Sequence, residues 1–474
     1  MYDPPGGKGF WARRSDLNSG DSSFYRVTSM FAASSKNAEI YTEAKRDVPK
    51  SAIDGLLAAF ENNVVPVEHL WYTTPTDVDG SGKIILLLLD IQDGYQAGGG
   101  YIAGYFDPIN HYTEAAVNST NSKYHSNHAE MLYLDTYPGL EDALRKNNLT
   151  QFYATLAHEY QHLLQFGKYY RGDQNDVEPP WVDEGLAEVS SDLTGYGPQT
   201  GRANNFRSAL LNGTSLIKET NSFMLDNYAT SYVYFRYLAD VYGLGGIASI
   251  FKNNQIGVAG VNAGIEAVDS GLVGGGLCNE TSGLTYKHFS CSYRYMWAAM
   301  LSGNLGDQPT VAKIHFNSNA SSFTLGGAGN YTYALKPATT AYSQELTNTL
   351  AAGSYAASSS QISGALQSYA VKLMKINGTY TDTNFTSGGT GLTIVAGPQY
   401  FAVFNHDVST SVTHGAAISD QLTTLTGEVT PASLQTITAD APSGASAPLD
   451  QQKLHWHFPL QPEMREFLQS EEPR

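Results

Sequence analysis

From Ile84 to Leu89 every residue is aliphatic, with Lys83 and Asp90 closing the run. A strand without a polar side is buried on both faces, so this segment requires other layers of structure above and below it. Neither it nor any other purely apolar run approaches the roughly 20 residues a membrane-spanning helix needs, so no transmembrane segment is expected. Around it, residues 20–145 read as strands and turns, with a glycine-rich stretch at Gly94–Gly100. From Leu149 to about Leu301 the apolar period becomes helical, and few prolines interrupt Trp181–Met300.

At 474 residues the chain exceeds one ordinary core. The expected fold class is α+β. Residues 1–310 form one domain, with a sheet part over 20–145 and a helical part over 146–310. Residues 320–425 alternate apolar and polar positions, as in Tyr369-Ala-Val-Lys-Leu-Met-Lys-Ile and Tyr400-Phe-Ala-Val-Phe, and predict an antiparallel β-sandwich. Residues 426–474 are rich in Ala, Pro, Ser and Thr and read as a flexible tail.

The chemistry concentrates in Leu149–Gly167. Thr150 is a candidate N-cap, Phe152, Leu156 and Leu163 mark an apolar face, and Gly167 is a candidate C-terminal stop. On such a helix His158 and His162, four residues apart, share one face and can converge on a single ion. Glu159, beside the first histidine, is then placed to act on the attacking water as general base. Two histidines leave zinc short of the three protein ligands of a catalytic site. The His-x-x-Gly-x-x-His continuation is absent, since Gln165 and Lys168 stand at its last two positions. A second predicted helix, starting near Pro179–Pro180 with Trp181-Val-Asp-Glu184-Gly-Leu-Ala-Glu188, supplies Glu184 as third ligand. Glu188, one turn on, can accept from the far nitrogen of a ligating histidine. Asp176 and Glu178 are weaker ligand candidates, because they lie in a loop.

His158-Glu-Tyr-Gln-His162 followed by Trp181-Val-Asp-Glu184-Gly-Leu-Ala resembles the gluzincin peptidases, and within them most the hyicolysin-type neutral metalloproteases. Asp77-Val-Asp-Gly-Ser-Gly-Lys-Ile-Ile-Leu-Leu-Leu, Gly104-Tyr-Phe-Asp and Asn127-His-Ala-Glu-Met-Leu-Tyr-Leu-Asp precede the zinc helix in the same order; the resemblance spans roughly residues 20–245. It implies a Zn²⁺-dependent endopeptidase acting on polypeptide. It also implies a tyrosine facing the reacting water, at Tyr228 or, failing that, Tyr232. An aminopeptidase is the rival, for which Glu130 is the placed carboxylate, although the Gly-x-Met-Glu-Asn signature is missing. A non-catalytic adhesion protein built on the zinc fold is the second rival, against which the intact Glu159 speaks.

Two further segments attract attention. Asp77-Val-Asp79-Gly-Ser81-Gly82 resembles the opening of a Ca²⁺ loop, but Leu88 stands at position twelve, so a glycine-rich turn is the plainer reading. Glu130-Met-Leu-Tyr-Leu-Asp reads as a sheet edge able to bind extended substrate as an added strand, or equally as a core strand.

A net charge of −17 repels nucleic acid and anionic lipid. The opening Met-Tyr-Asp-Pro-Pro has no secretory signal character, whereas the Tyr, Thr, Ser, Asn and Gly content with few Lys resembles a secreted or extracytoplasmic protein. The two cysteines, Cys278 and Cys291, are either one disulfide or two buried thiols.

Overall fold

A computed structural model describes residues 7–16, 21–197, most of 199–302 and, past that point, short strands between Phe323 and His457 together with Tyr369. The chain clusters into two compact units. The first comprises Met1–Val177, Ser190–Gly197 and Ser446–Arg474, the second Glu178–Val189 and Pro198–Ala445. This division differs from the organisation expected above: residues 446–474 go with the N-terminal sheet, and most of the helical stretch goes with the residues after 320.

The first unit is built on a seven-stranded sheet. Strands β1 (Gly7–Asp16), β2 (Asp21–Ser34), β3 (Ala38–Glu43), β4 (Ile84–Leu89), β5 (Tyr101–Phe106), β6 (Met131–Asp135) and β14 (Lys453–His457) lie in the order β1-β2-β3-β4-β6-β5-β14. Strands β3, β4 and β6 run parallel, β5 is antiparallel to β6, and β14 is parallel to β5. All residues of β4, β5 and β6 are buried, as the aliphatic run required. Two expectations need correction here. The Glu130–Asp135 segment is not an edge, because a fully buried strand must pair its backbone on both sides, and β6 does so with β4 and β5. Nor is the whole of 426–474 a flexible tail, since Lys453–His457 pairs in register with Tyr101–Phe106.

Helices α1 (Lys50–Ala59), α2 (Val65–Trp71), α3 (Glu114–Thr120) and α4 (Glu141–Arg145) connect these strands. Helix α5 follows as Thr150–Tyr170 and α6 as Pro180–Leu193. Thr150 opens α5 without capping it, and the helix runs through Gly167. Phe166, Gly167 and Lys168 are buried, so packing carries the helix onward, and the left-handed residue falls later, at Gly172 with φ 76°.

The second unit holds the first part of α6 together with α7 (Met224–Lys252, kinked at Gly243), α8 (Gly257–Val268) and α9 (Lys287–Ser302). Trp181 of α6 packs on Phe235 of α7 and Phe289 of α9, and Tyr369 lies tilted against Phe289. Beyond residue 320 the described strands form a three-stranded antiparallel sheet of β10 (Val371–Lys375), β12 (Tyr400–Asn405) and β11 (Leu392–Ala396). Two short pairs accompany it: β7 (Phe323–Leu325) with β8 (Tyr331–Tyr333), and β9 (Ala365–Leu366) with β13 (Val412–Thr413). The remainder of the expected sandwich lies outside the described residues.

No helix among the described residues is long and apolar enough to cross a membrane. Cys291 is disulfide-bonded, which answers the question its sequence left open.

Candidate metal centre

Helix α5 is buried along nearly its whole length, from Phe152 to Lys168. Its apolar face packs against the sheet at β5 and β6, which turns the His158–Glu159–His162 stretch into the interior. His158 and Glu159 are fully buried and His162 nearly so. The Nε2 atoms of the two histidines face each other at 3.0 Å. Two ligands of a tetrahedral zinc lie about 3.3 Å apart, so the rings already point at a common coordination point.

Helix α6 is one continuous element whose last turns are fixed to α5 by Ser191, which donates to the Ala154 carbonyl at 2.8 Å. Glu184, two turns earlier on the same rigid helix, is brought with it. One donor atom from each of His158, His162 and Glu184 lies within 4.8 Å of the others, and all three residues are buried. Two imidazole nitrogens and one carboxylate oxygen, clustered away from bulk water, are the donor set of a catalytic zinc site.

Glu159 owes its position to a glycine. Strand β5 passes so close to α5 that a Cβ on Gly104 would fall 2.7 Å from Thr155 Cγ2 and 3.2 Å from Glu159 Cγ. Only Gly lets the strand and the helix meet at this depth. Sequence reading passed over Gly104 as a functional position; a glycine inside an otherwise apolar strand is the signal that points to it.

Several of the other candidates have partners of their own. Glu188 accepts from Arg202 Nε at 2.7 Å in a fully buried ion pair. The same guanidinium lies 4.8 Å over the Tyr228 ring. Tyr228 is buried, and the Tyr232 hydroxyl accepts from the Gln199 amide at 3.0 Å. Glu178 accepts from the Gly257 amide, and Asp176 from that of Val177.

Glu130, at 1 % exposure, takes the Val78 amide on both oxygens at 3.0 and 3.1 Å, so it serves as the anchor of the 77–82 loop. Asp77, Asp79 and Glu130 do bring donor atoms within 4.8 Å of one another. However, Asp79 accepts from the Ser81 amide and Asp77 from that of Gly82, both at 2.9 Å, and Gly80 and Gly82 adopt positive φ. A hydrogen-bonded turn accounts for this loop, and calcium gains no support from it.

Sequence reading also missed Glu68 on α2. It is fully buried, and burial drives its carboxyl far above the usual range, with the His162 charge as the opposing influence. An acid between buried Val65, Val67 and Trp71 was the available signal.

Over 186 residues the chain is 36 % identical to the neutral metalloprotease ShpI of Staphylococcus hyicus. The chain resembles a neutral metalloprotease of the hyicolysin type. This match covers 38 % of the chain and 40 % of the relative, so the chain spans well under half the length of the neutral metalloprotease it matches. No family model matches.

Proposed function

We propose that the protein is a zinc-dependent endopeptidase of gluzincin type, with His158, His162 and Glu184 as ligands and Glu159 as general base. The convergence of those three buried donors carries the reading. Zinc held there would supply a Lewis acid that polarises the scissile carbonyl and makes the attacking water more acidic. Glu159, buried beside His158, takes the proton released as that water attacks the carbonyl carbon, then delivers it to the departing amine. Its confinement between α5 and β5 keeps bulk water away from the transferred proton.

Tyr228 is the proposed donor to the developing oxyanion, a contact worth about 3–4 kcal/mol where it has been dissected in other acyl-transfer enzymes. Glu130 is left out of the substrate site, because both its oxygens hold the loop. The missing Gly-x-Met-Glu-Asn signature favours an endopeptidase over an aminopeptidase. Secretion is proposed on the disulfide at Cys291, a bond that persists in oxidising compartments.

The test is metal content per chain alongside casein hydrolysis with and without a chelator. Zinc at one per chain with chelator-sensitive hydrolysis is expected, and Glu159→Gln should keep the zinc while losing roughly 10²–10⁴-fold in turnover. Hydrolysis that survives metal removal would sink the proposal. Equal cleavage of N-acetylated and free-amine peptides would mark the endopeptidase.

A further inference from the structure

Strand β14 pairs with the strand that meets the proposed general base. A Cβ on Gly104 of β5 would fall 3.2 Å from Glu159 Cγ, so β5 runs against the reacting centre at that residue. Strand β6 takes one side of β5, and Lys453–His457 takes the other as the last strand of the sheet. The register sets residue 455 opposite Gly104. Neighbouring strands lie about 4.8 Å apart, so this backbone passes beside the residue that touches Glu159. Whatever pairs with β5 here is brought to the site by main-chain hydrogen bonds, which is how an extended peptide adds to a sheet edge.

The pairing is of a kind that can be exchanged. It is five residues long and parallel, and its register shifts between Leu454 and His455, across from Gly104. Parallel ladders are slightly less stable per residue than antiparallel ones, and a shift interrupts the ladder. A peptide running the other way along β5 would therefore pair better. The opposite edge of the sheet is closed differently. The Trp11, Arg13 and Ser15 amides of β1 donate to Asn127 Oδ1, the Tyr105 hydroxyl and the Gln92 carbonyl at 2.7, 3.0 and 3.0 Å, so that edge has no donors left to offer at those positions.

We propose that the β5 edge at Gly104 seats extended polypeptide substrate and that Lys453–His457 fills it as an exchangeable strand of this chain, so the protein is self-inhibited while β14 is paired. The inference deepens the zinc peptidase reading above and rests on it. Substrate and strand compete for the same main-chain groups of Tyr101–Phe106. A tethered competitor acts at an effective concentration on the order of millimolar, so even a weak ladder holds the edge against dilute substrate.

The test uses the full chain carrying a recognition sequence for a specific protease between residues 440 and 446, cut only after folding and gel-filtered to remove the released segment. Release should lower KM for an N-acetylated, internally quenched peptide by about 10-fold or more, with kcat little changed. A synthetic Asp450–Pro459 peptide should restore the high KM competitively. A scrambled peptide of the same composition, which offers metal the same histidines, should not. In the Glu159→Gln protein, a fluorescein-labelled Asp450–Pro459 peptide should bind the cut form, be displaced by the substrate peptide, and leave the uncut form alone. Unchanged KM after the segment has gone overturns the proposal. So does a labelled peptide that substrate cannot displace, the result a purely structural strand would give. Should the cut protein aggregate or keep its segment, Leu454→Pro and His455→Pro in the uncut chain decide. Proline removes a ladder donor, so at least one of the two should lower KM, and wild-type KM in both overturns the proposal. Hydrolysis that is absent from every form, or that ignores a chelator, fails the zinc reading instead, and the labelled peptide still reads strand exchange independently.

Discussion

Asp77, Asp79 and Glu130 on one side, and His158, His162 and Glu184 on the other, each bring three metal-capable side chains within one coordination distance, yet they are made differently. The first group joins two exposed aspartates to a glutamate held by a backbone amide, and hydrogen bonds inside the loop account for each of the three. The second is buried throughout, on two helices fastened to each other, with two ring nitrogens turned to one point. Closeness of ligands alone therefore says little. Desolvation, rigid support and a mixed nitrogen and oxygen donor set separate a site from a turn.

The sharpest way to break this contrast is His162→Ala beside Asp79→Ala. The first should take zinc from one per chain to none and abolish proteolysis, whereas the second should leave both unchanged, as metal analysis after dialysis will read. A smaller effect is expected at the support of the buried group. Gly104→Ala places a methyl against Thr155 and the Tyr133 carbonyl, which should cost about 1–3 kcal/mol in chemical denaturation and lower kcat more than it raises KM. Unchanged stability would mean that β5 yields freely.

The segment that leads into the loop is sensitive to pH. His111 Nε2 meets Thr76 Oγ1 at 3.0 Å, next to Asp77, inside a cage of Phe106, Phe166 and Tyr170. Burial, aided by the Arg171 and His128 charges, pushes its pKa down to about 3. Because the folded value lies below the unfolded one, about 6.5, its contribution is complete above pH 6.5 and is lost as pH falls toward 3. The loss approaches about 1.4 kcal/mol per pH unit. Urea midpoints at pH 7 and 4.5 should show this slope in wild type and a shallower one in His111→Gln. Least of all, Asp79→Asn should shift stability by under about 0.5 kcal/mol, and a larger change would show that the exposed cluster does more than shape a turn.

How much of this was legible depended on distance along the chain. The zinc helix was readable because His158, Glu159 and His162 lie within a turn and a half of one another, and Glu184 because it opens the next helix. The buried strand at Ile84–Leu89 was readable because lack of alternation is itself a pattern. Other features depend on contacts that no local period encodes: Gly104 against Glu159 and Arg202 on Glu188. The helix end at Gly167 differs because tertiary burial outweighs the stop signal, and the pairing of β6 on both sides is not legible because its parallel neighbour β4 is separated from it by the whole of β5.

The pairing of Lys453–His457 with Tyr101–Phe106 has a consequence for biosynthesis. Neighbouring strands β4, β5 and β6 have left the ribosome long before residue 457 is translated, so during that interval β5 has an unsatisfied backbone edge, a template for pairing with another chain. Parallel pairing between segments so remote is among the slowest contacts to form. Production of the protein should therefore reward chaperone protection, and chains shortened before residue 453 should accumulate as aggregates.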